Sequence, residues 1–517
     1  MSASSRTYKD AITALNSLQS NAATIAAMRA SGPQNADYAI PEMIEYLGRI
    51  GYKPEDLNRL NIIHVTGTKG KGSTCAFVDS ILRQSVPGWK IGLYTSPHLV
   101  SATERIRVNG VPIPEEEFAK YFFEVWDRLE SDYEPGTNPM PMYFKYMTLV
   151  AYHYFLSIKV DATILEVGMG GAHDSTNVVP KPIATGISSL GLDHTFVLGN
   201  TIEEIAFQKG GIFKEDAPAM TVTQPEGPLE VLRKRASDCK ASTFTVLPVH
   251  PDLEKLKLGL SGSHQLSNAT LAVNLAHQYL LSQRHRIGRI APLSLNPFPL
   301  IPEFIAGLEN TRWPGRCQQV TDPRQPGLTW FLDGAHTVES LAACTKWYFA
   351  PDTGFRNTVD GSSRRRVLIF NCTSGRSGSK FLRTILDGLK SQLEEFAETN
   401  EAEPVQTEWF FDDVVFCTNV TYADGNSKAD LTNNTVDLKE LTEMKTQHEL
   451  ADAWKTLVPS FPADSIHVLP SVQHAVQVVH DLQSQSKGGV DVLVAGSLHL
   501  VGGVIEAANI KDVALAL

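Results

Sequence analysis

Residues 64–77 read "HVTGTKGKGSTCAF". The run that leads into them, "LNIIHV", has the content of a buried strand, and "STCAFVDSILRQ" behind them repeats apolar residues at helical spacing. Gly67, Gly70 and Gly72 therefore stand where a strand turns into a helix. Glycine lets the backbone approach a ligand closely and take φ > 0. The start of the helix offers unpaired N–H groups and the positive end of its dipole. Together these make a polyphosphate site. The spacing departs from the usual G-x-x-x-x-G-K-[ST] loop: Val65 holds the first glycine position, and the pattern is Gly67-x-x-Gly70-Lys71-Gly72-Ser73. The mechanics survive, because Lys71 can reach β- and γ-phosphates while the Ser73 and Thr74 hydroxyls lie at the helix start. The plainer alternative is a flexible turn with solvated lysines, which would not need strand, loop and helix in succession.

Outward from the loop, strand-like runs ("KIGLYT", "DATILEV", "IATGISSL") alternate with helical ones ("EEEFAKYFFEVWDRLESD", "YMTLVAYHYFLSIK"). Such alternation predicts an α/β domain with a mainly parallel sheet. "LEKLKLGL" reads as a further strand-like piece, followed by a polar turn and a long helix. "TRWPGRCQQV", residues 311–320, is punctuation, since Trp313-Pro314-Gly315 stops any regular element. After it the alternation restarts with "TWFLDGAH", "RRVLIFNCTSG", "FDDVVFCTN", "SIHVLPS" and "DVLVAGSLHL". We expect two domains divided near residue 318: 1–318 with the P-loop and its parallel sheet, and 319–517 as a smaller α/β domain. Two polar, turn-rich stretches, "TGFRNTVDGSSRRR" and "YADGNSKADLTNNTVDLKE", read as surface insertions without chemistry.

Composition agrees with a folded, two-domain chain: 517 residues are too many for one ordinary core. A net charge of −11 argues against broad nucleic-acid binding. Six scattered cysteines without a C-x-x-C pair suggest reduced thiols. No apolar run reaches transmembrane length. The Ser- and Ala-rich N-terminus lacks a secretory core, and "YKDAITALNSLQSN" reads as an opening helix rather than a presequence. Cytoplasm is the expected location, with a mitochondrial pool left open.

Three further clusters fall at strand ends. They are Ser96 in "LYTSPHL", Glu166 with the following glycines in "LEVGMGGAHDSTNV", and Asp193-His194 in "LGLDHTFVLG". In open parallel sheets ligands bind outside the carboxyl ends of strands. A hydroxyl, a carboxylate and an imidazole beside a phosphate loop suit Mg²⁺, with water and phosphate oxygens completing its shell. Singly, each also fits a structural role: a turn cap, a solvated glutamate, a structural histidine.

"GTKGKGST", "YTSPHL", "EVGMGGAHDSTN", "LDHTFVLG", "QKGGIFK", "GSHQLSNATLA", "WPGR", "DGAHTVES" and "AGSLHLVGG" run in order from about residue 60 to 503, so that nearly the whole chain resembles the folylpolyglutamate synthase family, eukaryotic type, within the Mur-type ligases. The resemblance implies a Mur-type P-loop ATP domain joined to a Rossmann-like C-terminal domain, with the site between them. It implies a tetrahydrofolate:L-glutamate γ-ligase that forms ADP, phosphorylating the folate γ-carboxylate before glutamate attacks it. Such chemistry needs charge stabilisation and positioning more than a protein nucleophile. By motif, Thr68, Lys69, Gly70, Lys71, Gly72 and Ser73 would bind ATP phosphates, with Asn268, Arg316, Asp333 and His336 as further nucleotide contacts. Ser96, Glu166 and His194 would hold Mg²⁺. Lys209 matches a lysine carbamylated in relatives, Asp174 a position near the pterin. Lys71, Glu166, His194 and Lys209 are then the catalytic candidates, and Lys69 ranks below Lys71. Glu104, Arg105 and Arg107 suit an anionic folate tail and suit a solvated loop equally well. The implied partners are ATP, L-glutamate and a reduced folate, with a monovalent cation such as K⁺ allowed, no nucleic acid, and a monomer. Dihydrofolate synthase, another Mur-type amino-acid ligase and a non-catalytic ATP-binding regulator are the rival readings.

Overall fold

The computed structural model describes residues 6–19, 38–133, 140–287, 298–351, 353–355, 364–372, 377–400, 410–431 and 441–516. Two mixed α/β sheets organise them. The first has eight strands: β1 (Ile62–Thr66), β2 (Ile91–Tyr94), β3 (Ile106–Val108), β4 (Val111–Pro112), β5 (Ala162–Glu166), β6 (Ala184–Ile187), β7 (Pro218–Val222) and β8 (Thr243–Leu247). Their order is β4-β3-β2-β5-β1-β6-β7-β8. β2, β5, β1, β6, β7 and β8 are parallel, and only the β3–β4 ribbon at one edge runs antiparallel. β1 lies between β5 and β6, with Val65 level with Glu166 and Thr66 level with Ile187. The loops that leave β1, β2, β5 and β6 thus emerge together along one edge.

The second sheet has six strands: β9 (Gln318–Thr321), β10 (Leu328–Leu332), β11 (Arg365–Phe370), β12 (Asp413–Cys417), β13 (Ile466–Leu469) and β14 (Val490–Ala495). Their order is β13-β12-β11-β14-β10-β9, parallel except for β9. The central strands of both sheets are buried along their length, as continuous apolar runs covered by helices require. The helix Lys71–Ser85 packs with Gln265–Ser282 and Pro302–Asn310 through Phe77, Ile81, Leu271, Leu275 and Leu308. On the other face Phe118, Phe122, Tyr146 and Phe155 join the opening helix Tyr8–Ser17, which begins on a Thr7/Asp10 capping box. "LEKLKLGL" is no strand: Leu253–Lys255 forms one 3₁₀ turn, and the residues after it have no ladder partner among the described residues. Its apolar residues instead pack against the first core as an irregular segment. The first polar insertion falls partly outside the described residues, as does the end of the second. Residues 422–431 of the second are placed: residues 423–426 are exposed, as expected, but Asp430 is buried against the first sheet's loops.

His64, inside β1, shows what this burial does to an ionisable group. Its Nε2 lies 2.9 Å from Thr176 Oγ1, and burial pushes its pKa from about 6.5 down to about 3. The folded state keeps the ring neutral while the unfolded chain protonates it. Between those values the unfolded state binds more protons, so stability should fall by about 1.4 kcal/mol per pH unit from this group alone as pH drops below about 6.5. Urea midpoints at pH 7 and pH 5 should differ clearly in the parent and differ less in His64→Asn.

Candidate active site

β1 ends at the glycine loop. Gly70 has φ +88, and a β-carbon there would sit 2.0 Å from the Asn268 Oδ1, so glycine is required twice over. Asn268 is itself fixed by donating to Gln265 (2.9 Å). The helix that follows begins at Lys71, leaving the N–H groups of its first turn for an anion. The N–H groups of Thr68 and Lys69 are committed elsewhere, both donating to the Ser189 carbonyl (2.9 and 3.1 Å), so these two residues shape the loop through the β6 turn.

Four cations and anions crowd this loop. Lys71 Nζ and Lys209 Nζ both donate to the Gly67 carbonyl, at 3.1 and 2.8 Å. Lys69 pairs instead with Asp193 (2.9 Å), so its charge is already balanced. Burial alone would raise the Asp193 carboxyl, but Lys69, then His194, outweigh it and hold it below the usual range. Burial and then Lys71 drive the Lys209 amine well below the usual lysine value. A lysine so placed is a poor cation and an available amine. Gly171 admits it: a β-carbon there would lie 2.9 Å from the Lys209 carbonyl.

Glu166, at the end of β5, is buried, and its Oε2 accepts from the Ser96 N–H at 3.0 Å. Ser96 leaves β2 at the same edge, so the strand order brings these two together across 70 residues of chain. Burial raises the Glu166 pKa against the pull of Lys71, the Ser96 N–H, Arg316 and Arg105. A buried carboxylate with that single hydrogen bond fits a divalent cation, which would stabilise its charged form. His194 stands at the mouth of the loop in left-handed conformation, presenting surface to solvent. Desolvation lowers its pKa against the pull of Asp193, keeping the imidazole neutral enough to ligate. Among the described residues no three His, Cys, Asp or Glu side chains gather into a cage, so a metal here would draw ligands from phosphate and water.

The second sheet supplies the opposite wall. Asp333, after β10, accepts from the N–H groups of Cys317 (2.7 Å) and Ala335 (2.8 Å) and so ties the Trp313–Cys317 connection to the β10 turn. His336 Nδ1 donates to the Gly334 carbonyl at 2.8 Å. Its charge and that of Glu339 bear on Asp193 and Lys69 across the cleft. Arg316 donates to the Gly315 carbonyl (3.0 Å) and acts on Glu166. Asp174 makes no direct bond to the loop lysines, though its charge bears on Lys209 and Lys71; its carboxylate takes the Met169 N–H, the Thr176 N–H and the Thr176 hydroxyl, capping the turn Ser175–Val178. The sequence pattern had no means of finding Trp313 Nε1, which would lie 3.1 Å from a β-carbon at Gly72, or the Lys69–Asp193 pair. The loop after Ser96 is not solvated: Glu104, Arg105 and Arg107 are all buried.

Fold and site together define a class: a phosphate-loop α/β protein whose glycine loop lies beside a second α/β sheet. The chain is 43% identical over 519 residues to the folylpolyglutamate synthase of Saccharomyces cerevisiae, covering 98% of this chain and 88% of the relative. Among solved structures it resembles Mycobacterium tuberculosis folylpolyglutamate synthase complexed with ADP, with a TM-score of 0.67 at 20% identity over 97% of this chain and 99% of that one. It also resembles Escherichia coli FolC in complex with DHPP and ADP, with a TM-score of 0.63 at 23% identity over 98% of both chains. At those identities the structures speak to the fold. No protein-family model matches. The chain belongs to the folylpolyglutamate synthase family.

Proposed function

We propose that this chain adds L-glutamate to the γ-carboxylate of a reduced folate, using ATP and releasing ADP and phosphate. The observation that carries the reading is the meeting of Lys71, Lys209 and the buried Glu166–Ser96 pair at a glycine loop open to a second domain, in a chain 43% identical to a folylpolyglutamate synthase. The loop's first-turn N–H groups and Lys71 hold the ATP phosphates. A carboxylate oxygen of the folate attacks the γ-phosphorus, the bond to the ADP oxygen breaks, and an acyl phosphate forms. The glutamate amine then attacks the acyl carbon, phosphate leaves, and the amine loses its proton. Ser96, Glu166 and His194 would hold Mg²⁺, which supplies charge neutralisation on the transferring phosphoryl group. Division of the chain near residue 318 into an ATP and folate domain and a smaller Rossmann-like domain fits this scheme, since closure would exclude water from the acyl phosphate.

Lys209 carries a second part of the reading. Its suppressed charge leaves an amine able to take up CO₂, and a carbamate there would add an anion beside Lys71. Intact-protein mass measured with and without bicarbonate tests this, and a Lys209→Ala protein should show no bicarbonate-dependent adduct at that site.

The acyl-phosphate order is tested by rapid-quench mixing of enzyme, ATP and tetrahydrofolate without glutamate. ADP should appear in a burst near one per site, hydroxylamine should trap a folate hydroxamate, and Arg316→Ala should shrink the burst without unfolding the chain. ADP that forms only after glutamate is added, with no hydroxamate, would retire the stepwise order.

A further inference from the structure

Residues 98–105 hold a buried cation that has no ion-pair partner among the described residues. Glu104 spends its carboxylate on the N–H groups of Leu99 (2.9 Å), Val100 (2.9 Å) and Ser101 (2.7 Å). Arg107 is consumed by the carbonyls of Glu104 (3.0 Å) and Gly110 (3.2 Å) and lies over the Trp313 ring. Arg105 differs. It is only 8% exposed, yet it makes no ion pair among the described residues. Its Nε donates to His98 Nδ1 at 2.9 Å, and its guanidinium carbon lies 5.3 Å from the Tyr143 ring centre. Its charge bears on Glu166 and on His499, which puts it within electrostatic range of the Ser96–Glu166 pair. A desolvated guanidinium without an acceptor anion is costly, and a carboxylate is the group its fork fits best.

What aims Arg105 comes from the other domain. His98 Nε2 lies 2.8 Å from the Asp430 carbonyl. A carbonyl only accepts and an arginine Nε only donates, so His98 is neutral with its proton on Nε2. The Asp430 carboxylate accepts from the Ala102 N–H at 2.8 Å and from the Tyr8 hydroxyl. Asn16 donates to the Ala429 carbonyl (2.8 Å). The segment is tied back to its own domain through Glu506, which accepts from Tyr422 (3.0 Å) and Lys428 (3.2 Å). Close by, Gly502 lets the helix Leu498–Ala507 rest on the Leu99 carbonyl, which would sit 1.8 Å from a β-carbon.

We propose that Arg105 binds a carboxylate of one of the two acidic substrates, and that His98 and Asp430 are positioning residues that aim it across the domain boundary. The proposal rests on the ligase reading above. Binding of that carboxylate is then tied to the arrangement of the two sheets seen here, because the relay exists only while residues 429–430 sit on the loop.

The test measures KM for tetrahydrofolate and for L-glutamate, with ATP affinity by nucleotide titration, in the parent, Arg105→Gln, Arg105→Lys, Asp430→Ala and the Arg105→Gln/Asp430→Ala double variant. Losing a charge-assisted contact should raise one of the two KM values at least about 10-fold in Arg105→Gln. A rise for tetrahydrofolate assigns the folate tail; a rise for glutamate assigns the incoming amino acid. Arg105→Lys should recover part of the loss. Asp430→Ala keeps the carbonyl that meets His98 but removes the carboxylate that pins its segment to Ala102 and Tyr8, so it should raise the same KM, and the double variant should add little because both changes act through the placement of one side chain. ATP affinity should hold throughout. If Arg105→Gln does not fold, Arg105→Lys and Asp430→Ala decide. Unchanged KM values for both substrates, full additivity, or a loss confined to ATP would overturn the proposal. A parent protein that joins glutamate to no folate would retire the ligase reading and this proposal together; an active parent with indifferent variants would retire this proposal alone.

Discussion

Lys71→Ala should lower turnover at least about 100-fold, the scale for removing one preorganised electrostatic contact to developing charge. Lys71 shares the Gly67 carbonyl with Lys209, and neither lysine has a carboxylate within ion-pair distance among the described residues. With the Lys209 charge suppressed by burial, Lys71 is the cation on the loop left for the nucleotide to neutralise. The contrast is Lys69, one turn of the loop away, whose charge Asp193 already balances. Lys69→Ala should therefore cost much less than Lys71→Ala. Circular dichroism and melting should change little in Lys71→Ala, because its side chain supports the loop through a single hydrogen bond. Near-normal turnover in Lys71→Ala would remove it from the phosphate site.

Glu166→Gln should also fall by about 100-fold or more, with the Mg²⁺ concentration for half-maximal rate rising, since an amide keeps the size and loses the charge that a hard cation prefers. Two features of Glu166 make the test clean. Its Oε2 contact to the Ser96 N–H can be reproduced by the glutamine carbonyl, so the β2 and β5 ends should stay in place. Its charge is opposed by burial, so the fold itself gains nothing from ionising it. Unchanged Mg²⁺ dependence in both Glu166→Gln and His194→Ala would sink the metal assignment.

The residues that sequence reasoning could reach share one property: their signal is local. Glycines between a strand and a helix announce the loop at residues 67–72, Ser96 and His194 follow recognisable strands and Glu166 closes one, so the parallel topology alone places them on one edge. What stayed hidden depends on contacts between distant segments. The Lys69–Asp193 pair spans 124 residues, and Asp430 reaches Ala102 across 328. The polar stretch that carries Asp430 has the composition of a solvated insertion, and only docking against the Tyr8–Ser17 helix and the 98–105 loop shows its use. The ribbon β3–β4 and the short edge strand β9 were invisible for a related reason: two- to four-residue strands are made by their partners, not by their own pattern. "LEKLKLGL" failed in the other direction, with an apolar pattern satisfied by packing on a core rather than by a ladder.

The central claim, ATP-driven joining of L-glutamate to a folate, is tested most directly by incubating the enzyme with ATP, Mg²⁺ and L-glutamate plus either tetrahydrofolate or dihydropteroate, and quantifying ADP and the glutamyl product together. The account predicts ADP and a tetrahydrofolate lengthened by one γ-linked glutamate in equal amounts. Product from dihydropteroate alone, or ADP release that ignores both glutamate and folate, would contradict it.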